Sequence, residues 1–377
     1  MLAIELLDEL VFGVREAAWP LIRRDLELDY VAIGVLITVP DVVGSLVQPV
    51  LGLLGDTGRR RAVVLVGGLA FATSLLFVAG ANGFGSLLVA FAIFAPASGA
   101  FVSLVQATMM DDAPGDRDRA MALWVLAGSV GVVVGPLLLA AALHLGFGWR
   151  AVFVAMAALT VPVWLGASRI RFPAGNGHRL AHVAREALRS LRRGAVWRWL
   201  ILLELTDLLG DVFLGFLALY LVDVAGASPV TAALAVTVLA ISGLVGDALL
   251  VPLLRRVDGL RVLRWSAAAM LLAYPTFLAV SGIGGKIALL STLGALRAGW
   301  YAIPQARLFD EFPGSSGTAV AISDIGGLAT RVVPIGIGVL AQRAGLDVAM
   351  WVLLAAPVAL LVGLPRGGPA ARTDPAP

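Results

Sequence analysis

The chain has 377 residues, 59% hydrophobic and 14% charged, with a mean hydropathy of +0.93 and a formal net charge of +3. Soluble domains carry about 25% charged residues, so this composition excludes one compact soluble core and places the chain among membrane proteins. The absence of cysteine excludes disulfides and thiolate metal sites, and His144, His178 and His182 stand at no zinc-binding spacing, so neither metal nor cofactor is expected.

A spanning helix needs roughly 20 mostly apolar residues. Twelve are predicted, at 2–22, 31–54, 62–82, 85–108, 119–144, 149–168, 197–222, 229–254, 262–283, 286–308, 317–342 and 346–364. The first is acidic where a signal peptide would be basic, so it reads as a span and not as a cleavable leader. It begins almost at Met1: either the true start lies upstream, or the helix is only just long enough to span. The stretch 169–196 divides the spans into two sets of six, 1–168 and 197–364. Its segment 180–193 reads as a basic amphipathic helix, either lying on the anionic leaflet or solvated as a linker. Residues 365–377 are expected to form a disordered tail.

Orientation follows from the basic residues. Twenty of the 28 fall at the ends of even-numbered spans, in groups such as Arg59, Arg60 and Arg61 or Arg255, Arg256, Arg261 and Arg264. Five lie on the other side: Arg23, Arg24, Arg150, Lys286 and Arg343. This bias predicts an inner-membrane protein with both termini and the central linker in the cytoplasm. The same distribution explains the pI near 9.8 without nucleic-acid binding. Trp19, Trp149, Trp197 and Trp351, near span ends, read as interfacial anchors.

The halves repeat at a shift of 199 residues. Glu5 maps on Glu204, Asp8 on Asp207, Gly44 on Gly243 and Gly128 on Gly327, and "QATMMDDAPG" (106–115) aligns without a gap on "QARLFDEFPG" (305–314). An even number of spans per half gives both the same orientation, so they should be related by an axis along the membrane normal, with a site between them.

At the end of span two stands "GLLGDTGRRR", 52–61. Glycines let helix ends turn tightly, and Asp56 can meet a neighbouring helix N-terminus. Gly52, Leu54, Asp56, Gly58, Arg59 and Arg60 resemble the loop motif of the major facilitator superfamily, one residue short between Asp56 and Gly58. In span five, Gly131, Gly135 and Pro136 resemble that family's antiporter motif, without the glycine pair that usually follows the proline. The family's span-four arginine is replaced by Ser98, and its repeat-equivalent is Arg297. The resemblance covers essentially the whole chain. It implies two six-helix bundles, with spans one and seven lining a central cavity, spans three, six, nine and twelve outside, and alternating access.

A charge at mid-bilayer costs at least ~2.5–3.5 kcal/mol, so it faces a cavity or a partner. Glu5, Asp8, Glu9, Phe12 and Glu16 share an arc of about 100°, with Arg15 at its edge, and Glu204, Asp207 and Asp211 share about 60°. Asp41, Asp247, Asp324 and Arg331 add further buried charge, and Trp300 and Tyr301 beside Arg297 could contact a substrate. The expectation is a carboxylate-rich cavity with Arg15, Arg297 and Arg331 as counter-charges, its surplus acids loading and releasing protons. The same residues could instead form a static ion-pair network.

These features predict a monomeric secondary transporter with proton-coupled export of a cationic or amphipathic small molecule. One alternative is an anionic or zwitterionic metabolite held by Arg15, Arg297 and Arg331. Another is a transport-inactive sensor or scaffold. An enzyme is not expected: no nucleophile–base pair with a nearby histidine and no Gly-x4-Gly-Lys loop is present.

Overall fold

A spanning segment must satisfy its own backbone hydrogen bonds, which a helix does internally, and the fold is all-α. The structure is a computed structural model that describes residues 1–54, 59–111, 117–170, 172, 193–254, 256–311 and 331–365. These trace twelve passages, here α1 to α12. In the first half they are α1 (Leu2–Asp25), α2 (Tyr30–Leu54), α3 (Arg60–Ala79), α4 (Phe84–Ser98, continued through Gly99–Ser103 to Leu104–Asp111), α5 (Arg117–His144) and α6 (Trp149–Ala167). In the second they are α7 (Gly194–Asp207, then Leu208–Val212 and Phe213–Asp223), α8 (Pro229–Leu254), α9 (Gly259–Ala279), α10 (Ile283–Leu296 and Ala302–Asp310), α11 (Val333–Ala344) and α12 (Leu346–Met350 through Ala355–Gly363). The expected amphipathic segment 180–193 lies outside the described residues but for Arg193, as do most of the tail and the first part of span eleven.

Helix starts carry local signals. The Asp29 carboxylate accepts the Ala32 N–H (2.7 Å), the Ser228 hydroxyl the Thr231 N–H (3.1 Å) and the Asp258 carboxylate the Leu260 N–H (3.2 Å). Each satisfies an orphan donor of the first turn. Asp29 and Ser228 are 199 residues apart, so the repeat extends to the caps of α2 and α8.

Packing repeats the same symmetry. The pairs α2·α4, α3·α4, α3·α6 and α1·α6 recur as α8·α10, α9·α10, α9·α12 and α7·α12. Between bundles, α2 packs on α11 and α5 on α8, two contacts that a two-fold axis exchanges. The α1·α5 contact is backbone to backbone. A Cβ on Gly131 would lie 2.5 Å from the Leu6 carbonyl oxygen, and one on Gly135 2.6 Å from that of Leu10. The glycines of the span-five motif therefore set this interhelical distance.

Among the described residues, eight passages are long and apolar enough to cross a membrane by length and composition. The other four are α1, rich in charge, and α7, α10 and α11, which are short or interrupted as described. The uniform spans expected from hydropathy are corrected here. α4 carries a π-helical turn at Gly99–Ser103, and α7 one at Leu208–Val212, where Gly210 leaves helical geometry (φ −87°, ψ −112°). α10 stops at Leu296 and resumes at Ala302, with Gly299 in the left-handed region at φ +77°.

Three residues assigned to span ends or loops lie in the interior. Trp19 is buried, packs on Phe91 and donates its indole N–H to Glu16 (3.1 Å). Trp149, also buried, donates to Asp25 (3.1 Å). Lys286, 3% exposed, donates to the Tyr220 hydroxyl (2.8 Å) and the Phe277 carbonyl (2.7 Å). It ties the start of α10 to the end of α9 and is no loop charge.

Candidate functional site

Between the bundles lies a cavity of about 480 Å³. α1 contributes Asp8, Glu9, Phe12, Arg15 and Glu16, and α2 contributes Ile37, Asp41, Ser45 and Gln48. α4 supplies Phe94 and Ser98; α7 supplies Glu204, Asp207 and Asp211; Tyr301 and Arg331 stand at the breaks before the second part of α10 and before α11. α3, α6, α9 and α12 contribute nothing to this lining. The acids reach one face because positions three, four and seven apart on a helix share it.

The lining charges fall into two groups. Some are satisfied internally. The Arg15 guanidinium, stacked over Phe12, is paired with Glu16 at 2.7 Å, and Glu16 is itself held by Trp19. Arg15 and Glu16 are 12% and 2% exposed, so this charge is neutralised within α1 before any ligand arrives. Asp8 accepts the Ser98 hydroxyl at 2.7 Å, a residue pair that joins α1 to α4. By contrast, among the described residues no hydrogen bond or ion pair engages the side chains of Glu9 and Asp41, and the Asp211 carboxylate has none either. Asp41, Asp207, Asp211 and Tyr301 are exposed to the cavity.

Not every expected site residue is there. Glu5 lies beside the cavity against α5, its carboxylate 2.8 Å from where a Cβ on Gly128 would stand. Arg297 donates to the Leu209 (2.9 Å) and Gly210 (3.3 Å) carbonyls of α7. Asp247 accepts the Gly299 N–H at 3.2 Å. Trp300 is buried and bonds the Ser266 hydroxyl at 2.9 Å, pointing to α9 and away from the cavity. Asp56, Gly58 and Asp324 lie outside the described residues. Gly52 is in the last turn of α2, and Arg59 is exposed just before α3. The Arg60 guanidinium, buried, donates to the Thr108 hydroxyl of α4 at 3.3 Å. Among the described residues no group of His, Asp or Glu side chains is arranged to hold a metal ion.

The cavity is sealed at the end away from Met1. There Asp223 accepts from Arg23 (2.8 Å) and from the Tyr30 hydroxyl (2.9 Å), while the Arg23 guanidinium stacks 4.3 Å over the Tyr30 ring. The Tyr30 N–H donates to Gln342 (3.4 Å). Below this latch Gly34 approaches the Pro334 backbone, and Gly338 that of Tyr30. The latch was not anticipated from sequence. Its signal was present: Arg23 and Asp223 close the repeat-related spans one and seven with opposite charge.

Comparison with known proteins agrees with this architecture. The family model of the Major Facilitator Superfamily matches residues 10–332. The chain belongs to that superfamily, and is accordingly a multi-pass membrane protein. A fosmidomycin resistance protein of Escherichia coli (strain K12) is 27% identical over 165 residues, which are 44% of this chain and 41% of that relative. The chain therefore spans less than half the length of the curated relative it matches. Among solved structures, a point mutant of the nucleoside transporter NupG superposes with a TM-score of 0.80 at 14% identity, covering 96% of this chain and 98% of that one. A bacterial homolog of the human lysosomal transporter Spinster, inward-facing and unoccupied, gives 0.73 at 17% identity over 96% and 93%. A D-xylose-proton symporter gives 0.73 at 14% over 96% and 95%. At these identities the likeness is one of fold.

Proposed function

We propose that the chain is a secondary active transporter that works by alternating access and couples proton movement to export of a cationic or amphipathic small molecule. One observation carries the reading: the cavity is lined by carboxylates from both bundles, and of its two arginines Arg15 is already neutralised by Glu16. A ligand entering this field meets net negative charge. Phe12, Phe94 and Tyr301 supply apolar and aromatic surface for the body of an amphipathic cation. Carboxylates shared between bundles exchange one role for another, holding protons when the cavity is empty and a cation when it is filled. The basic-residue bias puts Met1 and the cavity mouth on the cytoplasmic side, so the state described here is read as inward-facing. The relative named for fosmidomycin resistance fits export, since removal of a compound from the cell is one route to resistance.

The test is a thermal-shift screen of purified protein against cationic, zwitterionic and anionic compounds at pH 6 and pH 8. A ligand that binds only the folded state stabilises it by mass action. Cations should stabilise the protein, and more strongly at pH 8, where fewer protons compete. Stabilisation by anions alone, or by cations preferentially at pH 6, would overturn the reading.

A further inference from the structure

Two charges predicted for the cavity, Arg297 and Asp247, are engaged elsewhere, each at a break in a helix. The π-turn of α7 shifts its carbonyls off the regular helical pairing in a region where water is scarce. Arg297 donates to the carbonyls of Leu209 and Gly210, the second of which also accepts the Phe213 N–H. On the donor side of the same break, the Asp207 carboxylate accepts the Asp211 N–H at 3.4 Å. The stretch that carries Arg297 is itself interrupted, and Asp247 of α8 holds the Gly299 N–H of that interruption. Among the described residues Arg297 forms no ion pair.

The internal repeat supplies the comparison. At a shift of 199, Arg297 corresponds to Ser98, Asp207 to Asp8 and Gly210 to Val11. In the first bundle Ser98 bonds Asp8 directly, and α1 runs unbroken from Leu2 to Asp25. The arginine and the break thus occur together in one half and are absent together from the other.

We propose that Arg297 is a positioning residue that clamps the break in α7, and that it binds neither substrate nor protons. A π-turn winds its residues by less than the 100° per residue of an α-helix. The break therefore sets the rotation of Phe213–Asp223 relative to Gly194–Asp207. The first segment carries Glu204 and Asp207 into the cavity. The second packs on α1 and ends at Asp223 in the latch. One side chain from α10 thereby fixes the relative aim of the cavity acids and the seal. Without it, the Leu209 carbonyl loses its guanidinium donor, and α7 closes into a continuous helix, as α1 already is.

Amide hydrogen exchange on the full-length protein reads this without a transport assay, so the outcome is independent of the proposed substrate and coupling. In R297M the amides of 208–213 should exchange at least tenfold more slowly than in wild type, because the helix has re-formed. R297K should keep the wild-type pattern, since an ammonium group can still donate to both carbonyls. R297Q, which retains two donors on one nitrogen, stands in if R297M does not reach the membrane; slowing of lesser degree is expected. Faster exchange at 208–213 in R297M or R297Q indicates general loosening and overturns the clamp. So does unchanged exchange in either variant. Selective loss of an anionic compound's binding in R297K, with exchange unaltered, would make Arg297 a ligand-binding group instead.

Discussion

At the scale of single residues, the sequence revealed which charges are buried but not how each is used. A carboxylate stripe on a helix follows from spacing alone, and Asp8, Glu9, Glu204, Asp207 and Asp211 lie along the cavity as that spacing implies. Partner choice depends on rotamers and on neighbouring helices. Spacing therefore did not reveal that Arg15 pairs with its own neighbour Glu16, or that Arg297 turns to carbonyls. The Arg15–Glu16 pair makes a sharp test. Removing one member of a buried pair leaves an uncompensated charge, at a cost of about 3–5 kcal/mol, whereas removing both is often close to neutral. E16Q should therefore lower the thermal midpoint in detergent strongly, and R15Q/E16Q should recover most of the loss. A double variant as unstable as the sum of the singles would show that the two residues do not act as a pair.

At the scale of elements, hydropathy located the passages seen among the described residues because lipid permits few alternatives to an apolar helix. It missed the interruptions of α4, α7 and α10, since a π-turn changes hydrogen bonding without changing composition. The small-residue motif of α5 was legible, and its physical content is the close approach to α1. G131A should separate these helices, because the added Cβ meets the Leu6 and Leu10 backbones and the Glu9 side chain, none of which can swing aside. A loss of about 1–3 kcal/mol is expected, as for other overpacked sites. G336A is the matched control: its Cβ meets nothing within 4 Å, and alanine favours the α11 helix by about 1 kcal/mol. Chemical or thermal denaturation of the two variants checks this, and equal stability would contradict the backbone contact.

At the scale of the whole molecule, two repeat-related bundles meet around a cavity sealed at one end, and the repeat was readable because polar residues such as Asp8 and Asp207 recur at one shift. The seal was not, as it joins residues far apart in sequence through side chains of ordinary loop character. Arg23 and Asp223 are 30% and 22% exposed, so their ion pair is worth only about 0.2–1 kcal/mol, with the Tyr30 hydrogen bond added. D223N should therefore shift the population several-fold towards opening at the far end. The chain has no cysteine, so I37C reports it cleanly: labelling by an impermeant thiol reagent from the far face should rise in D223N. No rise would mean that the latch does not hold the closed state. The central claim, that cavity carboxylates exchange protons for a cationic substrate, is tested most directly in everted vesicles with an acid interior. Cations that stabilise the purified protein should dissipate the pH gradient when added to vesicles carrying the wild-type chain, and should fail to do so with D8N or D207N. Dissipation that persists undiminished in both variants, or that only anions elicit, would contradict it.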